Sequence, residues 1–161
     1  MKILILLFLL VSICTFGQEG CPAVKNEKTK EGLTKVIATS PSGIISFTEL
    51  QRNSKLLDDL ETVNIKYTSK KIIKDPSHVF FEFDDLEFHE YISIKFDIKN
   101  EGNNFTYSTS IALNAFSTVQ FAVAKVVNLH IREEKIPINN QDQNEIKIIA
   151  SCLFLGMAPK K

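Results

Sequence analysis

The chain has 161 residues, with 19 Lys plus Arg balanced by 19 Asp plus Glu, twelve Phe and no Trp. Balanced charge argues against a nucleic-acid binder, which normally shows a basic excess, and no basic amphipathic stretch marks a membrane-surface helix. The length suits one domain with a proper core, built here chiefly from Phe and Ile.

At the N-terminus Lys2 precedes an apolar run, Ile3 to Ile13, and Thr15-Phe16-Gly17 supplies the small side chains needed for a cut after Gly17. This is the grammar of a secretory signal peptide. Residues 1–17 are therefore expected to be a leader and the mature chain to be secreted (extracellular, or periplasmic or cell-surface in a bacterium). The run is shorter than the roughly 20 residues a membrane-spanning helix needs, so no transmembrane segment is expected in the mature chain. Cleavage removes Cys14 and leaves Cys21 and Cys152. Neither Cys14 nor Cys21 follows a lipobox. In an oxidising compartment two cysteines permit one internal pairing, so a Cys21–Cys152 disulfide is expected, with two free thiols as the alternative.

Residues 18–32 read as a polar lead-in and 33–161 as a single globular domain. Leu33 to Thr39 is an expected strand, closed by the turn residues Ser40-Pro41-Ser42-Gly43. Ser46-Phe47-Thr48-Glu49 has the form of a capping box, with Ile45 and Leu50 as its staple. Apolar residues then recur near helical spacing, which predicts a helix over about 47–62. From Val63 the period changes to two, predicting a strand through Tyr67 and on towards Ile73. Val79, Phe81 and Phe83 alternate with Phe80 and Glu82 as a further strand. Ile92 to Lys99 alternates strictly, Asn100-Glu101-Gly102-Asn103 is a hairpin loop, and Phe105 to Leu113 is the returning strand. Residues 117–131 suit helix and strand equally, which allows a second helix over about 118–130. Pro137 restricts its segment to an edge or loop. The apolar run Ile146 to Leu155 reads as a buried central strand. Together these predict an α+β domain, mostly antiparallel β-sheet, with a β-sandwich as runner-up.

Candidate chemistry is sparse. His78, Glu82 and Asp84 share one strand face, but at about 3.3 Å per residue they spread over roughly 20 Å and do not converge on a metal unaided. A solvated acidic face is the expectation, with no metal or other cofactor. The acidic residues from Glu82 to Glu90 follow a basic group, Lys66, Lys70, Lys71 and Lys74, and the two would meet if their strands paired. The acidic segment is also a candidate charged docking surface. No nucleophile elbow or Gly-rich phosphate loop occurs. Asn104-Phe105-Thr106 is the one glycosylation sequon, at an expected hairpin loop, so a eukaryotic source would make the chain a glycoprotein at Asn104.

Residues 120–128, Gln-Phe-Ala-Val-Ala-Lys-Val-Val-Asn, resemble the "FAV…N" helix of cystatins, secreted protease inhibitors that pack a helix on an antiparallel sheet. The resemblance covers under a tenth of the chain. The Gln-x-Val-x-Gly hairpin of that family is missing downstream, so membership is not claimed. The expected function is a secreted, non-catalytic binding or interaction domain for an unidentified protein. A carrier of a small apolar ligand or lipid between sheet and helix is the alternative, ahead of a protease inhibitor or hydrolase.

Overall fold

The computed structural model describes residues 24–30, 33–51 and 60–156. The leader and Cys21 lie outside them. The fold is α+β, and the described residues form two open antiparallel sheets and two helices. The larger sheet has the order β1-β2-β3-β4-β8-β7, formed by β1 (Val24–Lys28), β2 (Thr34–Thr39), β3 (Ile45–Gln51), β4 (Leu60–Ser69), β7 (Asp97–Glu101) and β8 (Asn104–Ala112). The smaller has the order β10-β9-β5-β6, from β5 (Val79–Phe83), β6 (Phe88–Tyr91), β9 (Val126–Ile131) and β10 (Glu134–Pro137). The helices are α1 (Ala115–Val123) and α2 (Asn140–Leu155).

Several segments form as their patterns dictate. In β4 Val63 and Ile65 are buried, and in β5 Val79, Phe81 and Phe83 are, because alternate side chains of a strand share one face. The β7–β8 hairpin turns at Gly102, which takes φ +69°, a value glycine adopts without strain. Pro137 ends β10, an edge strand, where its missing N–H breaks no ladder. The polar lead-in contributes β1, an exposed edge strand registered on β2.

Other expectations are corrected. The helix over 47–62 does not form: residues 47–51 belong to β3, 60–62 begin β4, and 52–59 lie outside the described residues. A capping box is a local signal, and here pairing on both sides wins. Phe47 sits opposite Ala38 and Val63, and Asn64 Nδ2 donates to Thr48 Oγ1 at 2.9 Å. The predicted strand 92–99 is ordered as strand only from Asp97, and Ile92 is exposed. Residues 117–131 divide into the end of α1 and all of β9, so each reading holds for half the stretch. Residues 146–155 form helix rather than a central strand. Asn139 Oδ1 accepts from Asp142 N at 2.9 Å, the Asp142 carboxylate accepts from Ser42 N at 3.0 Å, and Gly156 closes the helix at φ +63°. Ile146, Ile149 and Ala150 are the buried stripe, a helical spacing hidden in a run apolar on every side.

The core lies between the sheets and helices. Phe121 of α1 is its hub, with edge-on contacts to Phe47, Phe81 and Phe83 at centroid distances of 5.2, 5.0 and 5.3 Å, and Phe154 of α2 adds a fourth contact to Phe47 at 5.3 Å. Such pairs are each worth about 0.5–1.5 kcal/mol beyond burial. Cys152 lies on α2, 7% exposed. The expected Cys21–Cys152 disulfide falls on Cys21, which lies outside the described residues, and no Sγ–Sγ pair within 4.5 Å occurs among the described residues.

Candidate functional site

The strands that carry Lys66 and Glu82 do not pair. Lys66 is on β4 in the larger sheet, whereas β5 and β6, which carry Glu82 and Glu90, belong to the smaller one. The metal candidates are also kept apart. His78 Nε2 contacts Glu90 Oε1 at 2.6 Å, Glu82 Oε2 contacts His130 Nε2 at 3.1 Å, and Asp84 Oδ1 accepts from Lys125 N at 2.9 Å. No group of three or more metal-ligating side chains occurs among the described residues. Glu82 also accepts from Asn128 Nδ2 and Lys135 Nζ. The His130 contact, opposed by partial desolvation and helped by Lys135, holds its carboxyl below the usual range. Phe80 stacks on His130 at 3.8 Å. Asn104 is exposed at the start of β8.

A different constellation forms where β6 meets α1. The turn between β5 and β6 is tied to α1 by Gln120 Nε2, which donates to Asp85 Oδ2 at 2.7 Å, and to the connection between α1 and β9 by Asp84, which pairs with the backbone of Lys125. Within that turn Leu86 takes φ +69° and is 90% exposed. A left-handed backbone costs a branched residue about 1–2 kcal/mol, so folding alone favours neither the residue nor its position. Beside it Phe88 is 65% exposed. On α1 the solvent face carries Phe116, Val119 and Val123, all exposed and separated by three and four residues, so they align on one side of the helix. The hairpin segment is acidic: residues 75–94 contain Asp75, Glu82, Asp84, Asp85, Glu87 and Glu90 with no Lys or Arg, and α1 carries no charge, while Lys125 follows the helix beside Asp84 and Lys135 of β10 pairs with Glu82.

Beneath this face lies a polar floor. Asn114 caps α1 by accepting from Ser117 N at 2.8 Å, which fixes Ser117 in the first turn. Ser117 Oγ accepts from Tyr91 Oη at 2.9 Å and lies 2.9 Å from His89 Nδ1. With Tyr91 donating, Ser117 Oγ keeps its own hydrogen and a second lone pair for Nδ1, and giving that hydrogen to Nδ1 puts the ring hydrogen on Nε2. Phe116 stacks on the ring, centroids 5.1 Å apart and planes within 9°. Burial pushes the His89 pKa below its ordinary value, against the smaller opposing pull of Glu87 and Asp85, so the ring is neutral at pH 7. Burial likewise raises Tyr91, with the Ser117 contact opposing. His89 Nε2 is buried and has no hydrogen-bond partner. A hollow of about 240 Å³ opens here, lined by Phe88, His89, Glu90, Tyr91, Asn114, Phe116 and Ser117.

Sequence reasoning found the acidic segment but not the aromatic and helical half of this face. His89 was legible only as one of three histidines, since its partner Ser117 is 28 residues away. Residues 120–128, which resemble a cystatin helix, instead span a helix end and a strand start. No protein-family model, no curated protein and no solved structure matches the chain.

Proposed function

We propose that this chain is a secreted, non-catalytic binding domain that docks a protein partner on the face made by the β5–β6 hairpin and α1. The observation that carries the reading is the convergence of Leu86, Phe88, Phe116, Val119 and Val123 as exposed apolar side chains within an acidic surround. Contiguous exposed apolar surface rimmed by polar groups is characteristic of interaction sites, and an excess of acidic charge steers a basic partner. The strained, exposed Leu86 supports the same reading, because such strain tends to be kept at functional positions. The carrier alternative gains less support: the phenylalanines that would surround a ligand pack edge-on against one another. Secretion rests on the leader-like residues 1–17.

The test is comparative capture from the native extracellular and cell-surface fraction, using the mature chain and the double variant Phe88→Ser/Phe116→Ser as baits. Removing two hot-spot aromatics at about 2 kcal/mol or more is expected to weaken the specific complex at least about 30-fold. Equal recovery of the same partners by both baits refutes the proposed face.

A further inference from the structure

The geometry points to the partner's chemistry: the hollow between β6 and the first turn of α1 takes a peptide segment whose backbone carbonyl oxygen accepts from His89, with an adjacent lysine or arginine against Glu87 and Glu90. This rests on the docking reading above. The floor of the hollow offers donors. The Tyr91–Ser117–His89 chain ends at imidazole Nε2, which is buried with no hydrogen-bond partner among the described residues and, with the serine hydrogen given to Nδ1, carries the ring hydrogen. A buried donor left unpaired costs about 1–3 kcal/mol, and an oxygen from outside removes that cost. The first turn of α1 adds the positive end of a helix dipole, which favours partial negative charge at the same place.

The rim has the opposite character. Glu90 lines the hollow with its carboxylate on His78, Glu87 and Asp85 lie close enough to act on His89, and no Lys or Arg occurs from 75 to 94. A carboxylate ligand would satisfy the floor and be repelled by the rim. A peptide unit carries a neutral oxygen, and a neighbouring cationic side chain satisfies the rim while resting on Phe88 or Phe116, where a cation over a ring gains about 0.5–1 kcal/mol. Phe116 stacks on the face of the imidazole and is 67% exposed, so its ring forms a wall of the hollow and leaves the Nε2 edge uncovered by that ring.

The probe is N-acetyl-phenylalanyl-arginine amide, titrated into isotopically labelled mature chain and followed by NMR, with the glutamate and norleucine analogues as controls. Saturable shifts are expected at Phe88, His89, Phe116 and Ser117, with the His89 ring hydrogen on Nε2. Binding should follow the order arginine, then norleucine, with glutamate weakest. Glu87→Gln/Glu90→Gln is expected to weaken the arginine probe about fivefold, equivalent to about 1 kcal/mol, in a protein whose spectrum shows it folded. The inference is overturned by no saturable shift up to about 10 mM, ten times the Kd that about −4 kcal/mol gives. Shifts that map elsewhere, a glutamate probe that binds as well, or a ring hydrogen on Nδ1 also overturn it. If the phenylalanine double variant loses its natural partner while the glutamine pair retains it and the probe does not bind, the docking function stands and this inference falls.

Discussion

Replacing Ser117 by alanine tests the polar floor. Ser117 is 3% exposed, and its Oγ is at once the acceptor for Tyr91 and the partner of His89. Ser117→Ala therefore leaves two groups stranded, each costing about 1–3 kcal/mol when desolvated. Tyr91 is only half-buried, so water can recover part of its share, and the expected loss is about 2–4 kcal/mol. Tyr91→Phe removes one donor and leaves the Ser117–His89 contact intact, so its cost should fall near about 1 kcal/mol. Both are read from urea unfolding with an unchanged slope, so that the midpoint shift reports the folded state. The reasoning is refuted if Ser117→Ala costs less than about 0.5 kcal/mol, or if Tyr91→Phe costs as much as Ser117→Ala, because either outcome removes the shared hydroxyl as the connecting element.

Phe121→Ala empties the centre of the aromatic cluster and is expected to cost about 3–5 kcal/mol by the same unfolding assay. Asp142→Ala removes an acceptor for Ser42 N and Asn139 Nδ2 at a site 1% exposed, and should cost about 2–3 kcal/mol; an unchanged thermal midpoint would contradict the capping geometry. Leu86→Gly relieves the left-handed strain, so it is expected to raise stability by about 1 kcal/mol while weakening partner binding. His89 carries a pKa lowered in the folded state, so the unfolded chain takes up its proton first. Its contribution is present above the ordinary histidine pKa and is lost as pH falls from about 6.5 towards the folded value. Glu82 acts in a lower window: its folded pKa is also lowered, and its contribution is lost as pH falls below the ordinary carboxyl value of 4.5. A pH series of unfolding midpoints on wild type and His89→Gln should show the upper step in wild type alone.

How much could be read in advance varied with how local each cause was. The strands at 34–39, 63–69, 79–83 and 105–112 were legible, because alternation along a few residues matches one wet and one buried face. The turns at Gly43 and Gly102 were legible for the same reason, both taking positive φ. The Ser46–Glu49 signal failed because a helix nucleus is costly to form, whereas ladders to β2 and β4 satisfy the same backbone on both sides. The 146–155 run failed because residues apolar all round carry no period, and its caps at Asn139 and Gly156 lay outside the stretch being judged. For the candidate site, the acidic half was contiguous and visible, while Phe116, Ser117 and Val119 had no sequence feature linking them to residues 86–91.

The sequence by itself determined an α+β class rich in antiparallel strands, a Phe-based core, balanced overall charge and a local excess of acid from 75 to 94. All of these follow from composition and short-range periodicity. Only the tertiary structure decided which segments became helix, that Lys66 and Glu82 lie on different sheets, and that Tyr91, Ser117 and His89 meet beneath Phe116. Those outcomes depend on which strand finds which neighbour, and that choice is made by long-range burial and pairing energies that no window of adjacent residues contains.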